Sequence, residues 1–212
     1  MSERVREGLA AARTGICAMA ERAERAHRLA AEGFDWSDAA RVARAREEAR
    51  FLAGDAEEIT ASLVALAPAA SPEEQAAVES HLGAVSRLAR IGDCLDGFCE
   101  SAAAKIGAGL LFSDDAIKEI GDLHAETAAL VERAAASFSA GDSALARKVE
   151  EEGRLVERMI ERIGAAHEKR LAAGACAVRS SALFLEFLEA LRGIAAHAVG
   201  LALAAARGSV DA

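Results

Sequence analysis

The chain has 212 residues, of which 52% are hydrophobic, 28% charged and only 4% aromatic, with a formal net charge of −9. Alanine dominates, and there are only 1 Trp, 2 Pro and no Tyr; this excludes a sheet protein, because residues that pack well on a pleated surface are scarce, and a disordered one, because apolar surface is ample. The acidic balance excludes a nucleic-acid binder, which needs clustered Lys and Arg to neutralise phosphates, and equally a partner of anionic lipid.

Six helices are predicted, over 2–32, 37–67, 72–107, 114–138, 142–173 and 176–207, most of them about 45 Å long at 1.5 Å per residue. The first ends at Gly33-Phe34-Asp35-Trp36-Ser37-Asp38. Its Glu24-Arg25-Ala26-His27 is a Glu-x-x-His pair of the kind found in ferritin-like di-iron bundles. Those need a second such pair and two further Glu, and none accompanies His81, His124, His167 or His197. The second helix carries Arg41, Arg44, Arg46 and Arg50, expected on a solvated face with Glu neighbours.

The third helix opens on Ser71-Pro72 with Glu74 three residues after the serine, a capping box with proline where its missing N–H does no harm. Leu88, Ile91, Leu95, Phe98 and Ala102 then step by three and four, a stripe that belongs in a bundle. Asp93, Asp96 and Glu100 fall at i, i+3 and i+7, on one face, around Gly97. Three stacked carboxylates repel unless something cationic covers them. Their hard oxygens suit a divalent or trivalent ion such as Fe, Zn or Mg if another helix adds donors; otherwise the row faces solvent or pairs with Arg.

The fourth helix starts at Ser113-Asp114-Asp115 and the fifth at Asp142, both with N-terminal cap chemistry. In the fifth the stripe runs Leu145, Val149, Val156, Ile160, Ile163, and in the sixth Leu183, Phe187, Leu191, Ile194, Ala198. The sixth is the most apolar, but Glu186, Glu189, Arg192 and His197 interrupt it, so no membrane span is expected. His197 is expected as a core histidine. Cys17, Cys94, Cys99 and Cys176 form no CxxC pair and are expected as free thiols in a reducing, cytoplasmic setting. No glycine-rich phosphate loop, GxSxG elbow or zinc-type spacing occurs.

The halves echo each other. Asp38 answers Asp142, and Glu47-Glu48-Ala49-Arg50-Phe51-Leu52 answers Glu151-Glu152-Gly153-Arg154-Leu155-Val156 at the same offset. The expected architecture is all-α, two tandem three-helix bundles in a spectrin-repeat-like duplication, the first over 1–109 and the second over 110–212.

With Arg90-Ile91-Gly92-Asp93 inside such a repeat, and Ser180 to Ala202 carrying Leu-Phe-Leu-Glu-Phe-Leu-Glu before Leu191 and then Ile194, His197 and Ala198, the chain resembles the PhoU family, whose third helix in each repeat carries Glu-Arg-Ile-Gly-Asp-His-Ala. The resemblance implies a regulator rather than an enzyme. Its expected partners are a phosphate transporter component (ATPase or permease) or a sensor histidine kinase, and it is expected to form a homodimer. Some members of that family bind iron or zinc clusters through an acidic motif. Here the first copy keeps only Asp93, and the second, Arg192-Gly193-Ile194-Ala195-Ala196, keeps neither carboxylate. One degenerate metal site at Asp93, Asp96 and Glu100 is what the resemblance leaves. A ferritin-like metal protein and a helical scaffold are the rival expectations.

Overall fold

The computed structural model describes the backbone of residues 3–208 and the side chains of residues 3–204. Side-chain oxygens set four of the helix starts. Asp38 and Asp142 each accept from the backbone N–H groups two and three residues on, with nearly equal backbone angles (φ −93°, ψ 97° and φ −88°, ψ 99°). Ser71 and Glu74 close the capping box from both sides, and Ser113 accepts from the N–H of Ala116. From these starts run α1 (Glu3–Asp35), α2 (Ala39–Leu66), α3 (Pro72–Gly107), α4 (Asp114–Ala140), α5 (Ser143–Ala172) and α6 (Val178–Gly208). A 3₁₀ turn at Ala67–Ala69 follows α2, and no strand occurs among the described residues.

The first helix runs through the expected breaker at Gly33. That glycine is a contact, not a stop: a Cβ there would lie 2.7 Å from Val42 Cγ2 and 3.0 Å from the Val42 nitrogen. Its absence lets α1 and α2 converge at their turn.

Within each half the three helices pack on one another, α2 against α1 and α3, α5 against α4 and α6. The two trios join where α3 meets α6 and α1 meets α4, through one continuous apolar core. The stripes read from the sequence fill it: Leu88, Ile91, Leu95, Phe98, Phe187, Leu191, Ile194 and Ala198 are all fully buried. By length and composition α6 is apolar enough to cross a membrane. Half of that stretch is buried, packed against α3, α4 and α5, while Leu185, Glu186 and Glu189 are exposed.

Successive helices reverse direction, so the α1–α2, α3–α4 and α5–α6 turns gather at one end. Phe34, Phe98, Phe112, Phe184 and Phe187 pack there, Phe98 and Phe187 with ring centroids 4.8 Å apart. Lys105 lies over the faces of Phe34 and Phe112 and donates to Ser37 Oγ, tying the first two of these turns together.

Between the trios, His27 of α1 and His124 of α4 meet edge to face with centroids 3.9 Å apart, both almost fully buried. Thr127 Oγ1 donates to the His124 carbonyl at 3.0 Å and accepts from His27 Nε2–H at 3.1 Å. Burial holds both imidazoles below their ordinary range, His27 further through His124, and His124 down to about 3. Folded, both are neutral; unfolded, both take up protons below about pH 6.5. Keeping them neutral therefore costs nothing above that pH and destabilises the fold progressively as pH falls toward 3. Urea denaturation should show lower stability at pH 5 than at pH 7, by up to about 1.4 kcal/mol per pH unit for each histidine. His124→Gln should flatten that slope.

Glycine in α3 offers a second test. A Cβ at Gly92 would lie 2.8 Å from the Ala49 carbonyl oxygen and 3.1 Å from Leu52 Cβ, whereas nothing lies within 4 Å at Gly97. Gly92→Ala should cost about 1–3 kcal/mol by overpacking α2 on α3. Gly97→Ala should stabilise by about 0.5–1 kcal/mol. Chemical denaturation of the two variants separates the effects.

Candidate functional site

The two segments singled out by sequence, 88–100 on α3 and 180–202 on α6, face each other across the α3–α6 contact. Leu88, Ile91, Leu95, Phe98 and Cys99 point inward. That orientation places the acidic row at the edge of α3 nearest α2, and α2 brings arginines to it. Asp96 Oδ1 accepts from Arg46 Nε at 2.8 Å and from Arg50 Nε at 2.8 Å. Arg46 also reaches Glu100 Oε2 at 3.1 Å, and Arg90 holds Asp93 Oδ2 at 3.1 Å.

Burial raises the Asp96 carboxyl, but the hydrogen bonds and charges of Arg46 and Arg50 outweigh it and leave the group below its ordinary range. The hydrogen bond to Asp96 raises Arg46 in turn. The repulsion within the row is thus relieved by three guanidinium groups. The structure brings Asp96 and Glu100 together on Arg46 and leaves Asp93 apart, 61% exposed with Arg90. An iron, zinc or magnesium ion would have to displace Arg46 and Arg50 to gain these oxygens. Among the described residues no three His, Cys, Asp or Glu side chains converge as a metal-ligand group. Arg46 and Arg50 hold the oxygens that the expected ion would use.

Across from the row, Gly193 lies against Cys94, which lets α6 approach α3 closely. Ser101 Oγ donates to Glu186 Oε2 at 2.6 Å near one end of this contact, and Ser80 Oγ donates to the Ala204 carbonyl at 2.8 Å near the other. His197 is not a core residue: it is half-buried at the edge of the α3–α6 contact, 3.4 Å from Arg87 Nη1 through Nδ1. Burial lowers its pKa, with Arg87 and Arg90 adding to the effect. All four cysteines are free, and burial pushes the Cys99 thiol up to about 12, which makes it a poor nucleophile. A trough of about 770 Å³ runs along this face between Glu100, Ser101, Leu185 and Glu189. Its lining carries the Ser101–Glu186 hydrogen bond and Cys94, and no Lys or Arg.

Sequence reasoning placed Arg46 and Arg50 on a solvated face. Their spacing of four was the available signal, since it matches the four-residue step from Asp96 to Glu100 on a neighbouring antiparallel helix. Register between helices decides whether such rows meet. Glu24 and His27, the Glu-x-x-His pair, divide differently: His27 is buried on Thr127 and Glu24 stays at the surface of the α1–α4 contact.

The Arg46–Asp96–Arg50 cluster gives a stability prediction. Its carboxylate contribution is present above the ordinary Asp value of about 3.8 and is lost as pH falls through the lower folded value. Asp96→Asn should be about 1 kcal/mol less stable at pH 7, given the partial exposure of the cluster. The gap from the unaltered chain should shrink at pH 3 in urea denaturation.

No family model and no curated protein matches the sequence. Solved structures do. PhoU from Pseudomonas aeruginosa superposes with a TM-score of 0.89 at 19% identity, covering 94% of this chain and 96% of that one. The phosphate transport system regulatory protein PhoU from Streptococcus pneumoniae superposes with a TM-score of 0.84 at 10% identity, covering 96% and 94%. Six helices in the same arrangement over nearly the whole length of both chains make this a PhoU-like protein in its fold.

Proposed function

We propose that this chain is a PhoU-type regulator of phosphate transport and phosphate-responsive signalling that acts in the cytoplasm by docking, without catalysis of its own. The observation that carries the reading is the end-to-end match to two PhoU structures, one of them described as a phosphate transport system regulatory protein.

The docking surface is the end of the bundle where three turns gather. Trp36 is 76% exposed, Leu111 89% and Val178 79%, one from each turn, above the packed phenylalanines. Exposed apolar residues of this size on separate loops, held by a rigid base, are the makings of an interface with aromatic anchors. The partner is a phosphate transporter's cytoplasmic ATPase or permease, or a sensor histidine kinase. Docking changes the partner's activity only if its two states bind unequally. A homodimer is compatible with this use, because exposed apolar side chains such as Phe51 and Val64 on α2 and Leu155 on α5 offer a second copy another surface.

Co-purification from the native host tests the proposal. The tagged chain should bring down a phosphate-transporter or kinase component, and Trp36→Ser with Leu111→Ser should weaken that capture by about tenfold while the helical fold persists by circular dichroism. Normal phosphate uptake and signalling in a deletion strain would contradict it.

A further inference from the structure

Lys105 stands in the last turn of α3 and turns in among phenylalanines, with only 6% of the residue exposed. Its Nζ lies 5.2 Å from the centre of the Phe34 ring and 5.6 Å from that of Phe112. The hydrogen bond it donates to Ser37 Oγ is long, at 3.4 Å. An ammonium has three N–H donors, and one long bond leaves most of that capacity unused.

No carboxylate compensates this charge: among the described residues Lys105 belongs to no ion pair. Lys118 and Lys148 hold Asp122 and Glu152, and Lys169 is exposed. The acids near its contacts in sequence are engaged or turned elsewhere. Asp38 accepts from the Ala40 and Arg41 N–H groups through Oδ1 and sets Oδ2 3.6 Å from Arg41 Nε. Asp35 Oδ1 lies beside Gly121 of α4, and Asp114 and Asp115 are exposed in the first turn of that helix. Burial lowers the lysine's pKa, and no neighbouring charge acts against that shift. A buried charge is costly unless it is paired.

A second, independent observation comes from the residue that meets the ammonium. Ser37 has φ 50°, the one positive φ among the described non-glycine residues. Backbone held in that region costs energy and gathers at binding sites. Both contacts of the ammonium also lead to the surface. Ser37 is exposed and follows Trp36, and Phe112 follows Leu111. The charge is thus anchored to the immediate neighbours of two apolar side chains that are 76% and 89% exposed.

We infer that Lys105 is the charge-recognition point of the docking end, and that the partner segment seated there presents an Asp or Glu carboxylate to the ammonium, flanked by apolar side chains that pack on Trp36 and Leu111. The inference rests on the docking role given above to this end of the bundle. One ammonium balances one carboxylate, whereas a phosphate dianion would leave a negative charge over the phenylalanine faces. A basic segment would bring like charge onto Lys105. The carboxylate takes the N–H donors that Ser37 leaves unused, and the flanking apolar side chains keep water from the charge-assisted bond.

Selection of random linear peptides on the immobilised full chain tests this, with the Trp36→Ser, Leu111→Ser chain used first to remove peptides that bind elsewhere. The retained peptides should carry Asp or Glu beside Leu, Phe or Trp. Titrated by fluorescence anisotropy, they should bind the Lys105→Met chain about tenfold or more weakly. Lys148→Met, which removes the same charge from an exposed site on α5, should leave binding unchanged. Lys105→Met keeps an apolar stem and sheds an uncompensated charge, so it should melt at or above the temperature of the unaltered chain. Should it fail to fold, the peptide decides: replacing its carboxylate by the matching amide should weaken binding to the unaltered chain about tenfold or more. Retained peptides that lack an acid, that bind a folded Lys105→Met chain as tightly as the unaltered one, or that bind equally well as amides would overturn the inference. Selection that retains no peptide would overturn it as well. Any of these results leaves the regulatory reading to its own test by co-purification.

Discussion

The close contact of α3 with α6 is the constraint on which the rest of the molecule depends. Each of these helices is the third of its trio, and each presents an apolar stripe too wide for its own trio to cover. Leu88, Ile91 and Leu95 on one side and Leu191, Ile194 and Ala198 on the other are all fully buried. At roughly 25 cal/mol per Å² of apolar surface, exposing either stripe would be intolerable, so neither trio is expected to hold its shape alone. Small residues at the contact, Gly193 among them, let the stripes meet, and the Ser101–Glu186 and Ser80–Ala204 bonds fix their register.

Once α3 and α6 are joined, the charged helices arrange themselves around them. The acidic edge of α3 lies beside α2, and Arg46 and Arg50 cover it. On the other side Arg170 of α5 takes Glu119 of α4 in a two-point bond, and Arg192 of α6 takes Glu157 of α5. These pairs are partly exposed and individually modest. Their collective effect is orientation: they set the rotation of α2 and α5, and so decide which faces reach solvent.

Much of this was legible in the chain. The caps at Ser71, Ser113 and Asp142 mark helix starts to within a residue, because capping is local chemistry. The stripes on α3 and α6 read as core because their spacing matches the helical period. The fate of Asp93, Asp96 and Glu100 was open between metal, solvent and arginine, because it depends on the register of α3 against α2, which no local pattern encodes. His197 was misplaced for a related reason: an apolar helix still has an edge, and position along it does not say which residue occupies that edge. His27 and His124 lie far apart in sequence, and only the crossing of α1 and α4 brings their rings together. Gly33 was read as a stop because glycine breaks helices more often than it lets two of them touch.

The functional claim comes down to the end of the bundle that carries Trp36, Leu111 and Val178. Hydrogen–deuterium exchange of the chain alone and mixed with the transporter ATPase or kinase recovered with it is the most direct measurement. Slower exchange in the turns around 36–38, 108–113 and 173–178 on mixing, with the α2 and α5 outer faces unchanged, is the expected result. Exchange in those three turns that is unaltered by a saturating amount of the partner would contradict it.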